Sequence, residues 1–122
     1  DSVVVQGSED LATALENAGA QRHHGYPVVG KEGELIGMVT HHEMNDALLA
    51  GQSGVVSDFL APKKLVSVYP DNSIRDVANT LVIEDVMQVP VVSRKDSRKL
   101  LGIVTLHDIA RQQNAIDESL AR

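Results

Sequence analysis

The chain has no cysteine and no tryptophan, and only one phenylalanine and two tyrosines in 122 residues. Without thiols there is neither a disulfide framework nor a thiolate metal site. With aromatic residues at 2%, the core has to be built from Val, Leu, Ile and Ala, and base-stacking recognition of single strands is disfavoured. Positive charge is in short supply as well. The formal net charge of −6 leaves no broad footprint for a phosphate backbone, so nucleic acid is not expected as a partner. No apolar run approaches the roughly 20 residues that span a bilayer, and no signal peptide opens the chain. An initiator Met is missing too, and Asp1 leads straight into Val3-Val4-Val5, so the sequence reads as a piece cut from something longer. What is present, 43% hydrophobic and 23% charged residues, is ordinary for a globular protein. The length suits one compact domain or two small halves packed together.

The second choice is favoured by a duplication. Pro27 and Pro90 lie 63 positions apart, and the same offset aligns Val3 with Val66, Val5 with Val68, and Val28-Val29 with Val91-Val92. The turn Arg94-Lys95-Asp96-Ser97-Arg98-Lys99 then adds two residues, and an offset of 65 aligns Leu35 with Leu100, Gly37 with Gly102, Val39-Thr40 with Val104-Thr105, His42 with His107 and Glu43 with Asp108. Each copy reads as β-α-β-β-α: repeat 1 over residues 1–54 and repeat 2 over residues 55–122. In the first, strands are expected at Val3–Gln6, Tyr26–Val29 and Leu35–Val39. Ser8 caps a helix with Leu11, Ala14, Leu15 and Ala18 inward, and Gly25 closes the turn after Arg22-His23-His24. Lys31-Glu32-Gly33-Glu34 is a hairpin turn, and a helix from about His41 to Ala50 buries Met44, Ala47 and Leu48. After the connector Gly51-Gln52-Ser53-Gly54, Val56–Leu60 is a short helical turn ended by Pro62. In the second copy strands fall at Leu65–Tyr69, Val89–Ser93 and Leu100–Val104. A helix capped by Asn72 or Ser73 turns Ile74, Val77, Ala78, Leu81 and Val82 inward, and a last helix does the same with Ile109, Ile116 and Leu120. Each half alone buries little, so the two sheets are expected to pack together in an α/β (α+β) fold.

Chemistry concentrates where a strand runs directly into a helix, at Gly37-Met38-Val39-Thr40-His41-His42-Glu43 and at Gly102-Ile103-Val104-Thr105-Leu106-His107-Asp108. A helix N-terminus carries unpaired N–H groups and partial positive charge, and a carboxylate on the same turn can accept hydrogen bonds from a ribose diol. The competing reading is a capping box, in which Thr and the carboxylate satisfy the backbone themselves. It weighs more at Glu43, the better capping-box residue. The five histidines do not show the i, i+4 spacing of a helical zinc site, so no metal is expected. His42 and His107 precede the carboxylates and would add charge to a phosphate as pH falls through about 6.5. The Arg94–Lys99 turn reads as a solvated hairpin, and Lys63-Lys64 as electrostatic help for a polyphosphate. A hydrolase built on these groups is disfavoured, since there is no nucleophile elbow and no clustered metal-ligand spacing.

The repeat plan, the Pro27-Val28-Val29 and Pro90-Val91-Val92 strands and the doubled Gly-φ-φ-Thr-x-x-Asp signature resemble a tandem cystathionine-β-synthase (CBS) domain pair, the Bateman module. The resemblance covers Val3 to Asn114 and departs at Glu43, where the family has Asp. It implies two repeats related by a pseudo-two-fold axis and a regulatory, non-catalytic role. It further implies binding of an adenosine nucleotide (AMP, ADP, ATP or, in some members, S-adenosylmethionine), a homodimer formed through the pairs, and a covalently attached effector. Carried over by position, Asp108 holds the ribose and Thr105 approaches the phosphate with His107. Val89, Pro90, Val66, Ser67 and Val68 flank the adenine, and Thr40, Glu43, Tyr26 and Pro27 form a second seat. A narrower similarity, in His23-His24-Gly25-Tyr26-Pro27-Val28-Val29 and Asp96–Thr105, is to prokaryotic chloride channels and antiporters. There the pair is a cytosolic, C-terminal domain, which would place this chain in the cytoplasm; magnesium transporters, IMP dehydrogenase and stand-alone CBS proteins are competing parents. The alternative is a structural dimerisation module with empty seats.

Overall fold

The computed structural model describes residues 4–21, 25–60 and 65–112. Val3, Arg22–His24, Pro62–Lys64, Ile116 and Leu120, all used in the expectations above, lie outside these, as does the side chain of Ala18. In the first repeat, β1 (Val5–Gln6) pairs in parallel with β2 (Gly25–Val29), which pairs antiparallel with β3 (Leu35–Thr40). In the second, β4 (Gln88–Val92) and β5 (Leu100–Thr105) form an antiparallel pair, and Val68 adds one parallel bridge to Val91. The duplication is legible in the register itself. Val5 faces Val28 as Val68 faces Val91, Val28 faces Gly37 as Val91 faces Gly102, and a bulge follows Val28 and Val91 alike.

Helices cover these sheets: α1 (Leu11–Gln21), α2 (His41–Leu49), α3 (Ile74–Ile83) and α4, of which residues 106–112 are described. A 3-10 turn spans Val56–Phe59. Four expectations are corrected. The strand foreseen at Leu65–Tyr69 shrinks to the Val68 bridge, because the Tyr69 N–H donates to Asn72 Oδ1 (2.8 Å) and turns the chain away. Asp10 rather than Ser8 caps α1, accepting from the Thr13 N–H. Gly25 begins β2 instead of closing a helix. Val82 (75%) and Ile74 (36%), both expected inward, are exposed, Val82 lying one position past Leu81 and off the Val77–Leu81 stripe that faces the core.

Each repeat has its own cluster of buried side chains. The first holds Val5, Leu11, Ala14, Tyr26, Val28, Val39, Met44 and Val56; the second holds Val68, Val77, Leu81 and Val89. Val56 follows the 54/55 boundary yet packs in the first cluster. The chain folds back there, and Leu11, Val56 and Ser57 N–H groups donate to the Gly54, Glu9 and Gly7 carbonyls (2.9 Å each). The repeats meet at equivalent residues. Glu34 bridges Lys99 antiparallel, with the Leu35 N–H donating to Arg98 O at 2.7 Å, and the Gln88 amide lies against Gly25. Contact between a residue and its own counterpart is what a local two-fold axis produces. The Arg94–Lys99 turn is the solvated hairpin expected, exposed throughout, and its Arg98–Lys99 end also borders the seam. Its Arg94 also stacks over Tyr69 (4.1 Å) and pairs with Asp71 (3.1 Å).

Candidate functional site

At the first junction Thr40 Oγ1 accepts from the Glu43 N–H (3.0 Å), while Glu43 Oε1 accepts from the Thr40 N–H (2.8 Å) and hydroxyl (3.1 Å). At the second, Thr105 Oγ1 accepts from the Asp108 N–H (3.1 Å) and Asp108 Oδ2 accepts from the Thr105 N–H (3.0 Å). Both are capping boxes, formed because an extended Thr precedes a helix whose third residue is acidic. Asp108 also pairs with Arg111 at 2.9 Å. The Thr105 backbone N–H lowers the Asp108 carboxyl below its ordinary value of 3.8; burial, next in size, opposes it, and the Thr105 hydroxyl and the Arg111 guanidinium lower it further.

A cleft of about 620 Å³ opens between the repeats beside the first junction. One wall is β3 from Ile36 to Thr40 with Glu43 of α2; the other is Leu65, Val66 and residues 84–88, and Leu60 and Gly25 line it as well. The wall is mainly apolar, as a seat for a planar ring requires, with polar groups confined to a few positions. Of the residues expected to bind, Thr40, Glu43 and Val66 come together here. Val66 thus joins the first junction rather than Thr105 and Asp108. Tyr26, Pro27, Val68, Val89 and Pro90 do not line the cleft, since their side chains are buried and fill the repeat interiors. Ser67 is half-buried off the wall, His107 is exposed, and His42 turns to Asp46 on its own helix at 3.1 Å. Around Thr105 and Asp108, the counterparts of Val66 and of Asp85–Met87 are Val3 and Arg22–His24, outside the described residues.

Glu84, Asp85, Met87 and Gln88 are wall residues that the sequence reading missed. The signal was available: Gln88 is the counterpart of Gly25, and a residue and its counterpart meet at a pseudo-two-fold axis. Gly25 lacks a side chain where the Gln88 amide sits, so a Cβ there would displace it. Among the described residues no cluster of three His, Cys, Asp or Glu side chains is placed to hold a metal ion, and no helix is long and apolar enough to cross a membrane.

The CBS domain pattern matches residues 1–50 and 56–114. An uncharacterised protein of Methanocaldococcus jannaschii is 28% identical over 111 residues, 89% of this chain and 38% of that protein. Inosine-5′-monophosphate dehydrogenase of Aquifex aeolicus is 26% identical over 124 residues, 98% of this chain and 25% of the enzyme. The chain thus spans well under half of either relative. Among solved structures, CBSX2 in complex with AMP superposes with a TM-score of 0.81 at 25% identity, over 96% of this chain and 90% of that one. With its doubled β-α-β-β-α plan, repeated strand register and a pattern match over most of its length, the chain belongs to the CBS domain family, as a tandem pair.

Proposed function

We propose that this pair is a regulatory, non-catalytic sensor of an adenosine nucleotide (AMP, ADP or ATP) that passes a conformational change to an attached effector. The observation that carries the reading is the cleft at Thr40–Glu43, whose walls come from different repeats. A ligand there touches β3 on one side and residues 65–66 and 84–88 on the other. Its binding free energy therefore depends on the spacing of the repeats, and by linkage it biases that spacing. The AMP complex of the similar CBSX2 pair supports the ligand class. Thr105 and Asp108 are a second candidate seat, with Asp108 on the ribose. A chloride channel or antiporter, with the pair on its cytosolic side, is one candidate effector, and an inosine-5′-monophosphate dehydrogenase, similar over 98% of this chain, is another. Exposed Val82, Ile83, Met87 and Leu106 give a homodimer an apolar face, with the Leu106 N–H bonded to Met87 O at 2.8 Å.

Calorimetric titration with AMP, ADP and ATP tests the reading, with Glu43→Ala and Asp108→Ala as controls. Saturable binding weakened by either substitution is expected. No heat and no thermal shift with any of the three would leave a structural dimerisation module instead.

A further inference from the structure

We infer that the Arg94–Lys99 turn is a docking surface for an acidic protein partner, one that presents a compact cluster of carboxylates. The inference stands apart from the nucleotide reading and makes no use of the cleft. The turn holds four of the chain's eleven basic residues and one of its seventeen acidic ones, so it carries +3 and the rest of a chain of net −6 carries −9. All six of its residues are exposed.

The hairpin does not need these charges. Its counterpart in the first repeat closes with equivalent backbone bonds. The Gly30 and Ser93 N–H groups donate to the Glu34 and Lys99 carbonyls (2.8 and 3.0 Å), and the Gly33 and Asp96 N–H groups to the Gly30 and Ser93 carbonyls (3.0 and 3.2 Å). Yet that turn, Lys31-Glu32-Gly33-Glu34, has one basic residue and two acidic ones. The fold repeats where the charge does not. Four cations in six positions repel one another, and the chain offsets only part of this. Asp71 takes the Arg94 Nε (3.1 Å) and Asp96 lies 4.0 Å from the Arg98 Nε, while the Lys95 and Lys99 ammonium groups have no ion-pair partner among the described residues. The backbone is already held, with Ser93 Oγ and Asp96 Oδ1 accepting from the Lys95 and Arg98 N–H groups (3.2 and 3.1 Å). A partner therefore meets positioned charges and has little to order on binding.

An extended anionic surface fits poorly. A bilayer or a nucleic-acid duplex laid on the turn would also face the −9 of the remaining chain, whereas a small acidic patch reaches the turn alone. The turn has no apolar side chain to enter a bilayer and no aromatic one to stack on a base. Nor does the apolar face at Met87 and Leu106 compete for it. Those residues follow the opposite end of the β4–β5 hairpin, about 17 Å along the strands.

The probe is a hexaglutamate peptide, titrated into the isotope-labelled 122-residue chain at about 0.15 M salt and followed by NMR amide shifts. The shifts should concentrate at residues 94–99. Lys95→Gln/Lys99→Gln should weaken binding about three- to tenfold. Lys31→Gln/Arg75→Gln, which removes as much charge from two other exposed positions, should leave it unchanged. Equal weakening by the two pairs would mean attraction to net charge alone, and no shift at the turn would mean no site; either overturns the proposal. Capture of the chain by vesicles of about one-third phosphatidylserine, or by duplex DNA, that the turn variant abolishes would reassign the turn to a lipid or a phosphate backbone and overturn the protein partner.

Discussion

Thr105 and Asp108 exchange two hydrogen bonds, and Arg111 adds a third interaction on the carboxylate. The Asp108 carboxyl is depressed in the folded chain, so its stabilisation is present above the unfolded value of 3.8 and is lost as pH falls through the folded one. Its side chain is 41% exposed, so solvent screening limits the effect to a few tenths of a kcal/mol. Urea midpoints of the parent and Asp108→Asn should differ at pH 7 and converge towards pH 2; an unchanged gap would show that the carboxylate is not what stabilises. Gly25 permits another test at this scale. In Gly25→Ala the new Cβ takes the place of the Gln88 amide, the movable end of a flexible side chain, while the Val39 carbonyl at 3.4 Å stays in ordinary contact. The cost should be below about 1 kcal/mol, and most of it should vanish in a Gln88→Ala background. Additive losses in that double-mutant cycle would refute the contact.

Helix α3 shows how much an element owes to its ends. Ser73 and Asp76 form a capping box at one end, and Ser73→Ala should cost about 1 kcal/mol in chemical denaturation. At the other end Asp85 has φ 55°, a left-handed conformation that favours glycine, and its carboxylate sits at the negative end of the helix. Asp85→Gly should therefore stabilise the chain by about 0.5–1 kcal/mol, seen as a higher urea midpoint. A lower midpoint would mean that the carboxylate holds something in place. The capping residues were readable from local chemistry, since Ser73 and Asp76 have the required spacing. The exposure of Val82 was not, because helical periodicity names a stripe and leaves its edge to what packs opposite.

For the molecule as a whole, the two-fold seam is the feature most open to direct attack. Glu34 and Lys99 are partners in an antiparallel bridge, which brings Cα atoms to about 4.5–5.5 Å, within disulfide range. With no native cysteine, Glu34→Cys/Lys99→Cys should oxidise within one chain, shown by thiol titration and gel mobility. If the ligand acts by changing the spacing of the repeats, the oxidised form should lose the ligand-driven change in hydrogen exchange and regain it on reduction. Failure to close the disulfide would contradict the seam.

The amino-acid sequence by itself determined the duplication and the strand-to-helix junctions, and offered a capping box at each junction as one of two readings. Each follows from residues close together in the chain: an apolar strand, an extended Thr and a carboxylate three positions on. Only the tertiary structure decided that Val66 stands opposite Glu43, that Val89 and Pro90 are sealed in a core, and that Glu84 and Asp85 share a wall with Thr40. The physical reason is that a periodic pattern fixes which face of an element is apolar, whereas the partner across a pseudo-two-fold axis is set by how two finished sheets dock.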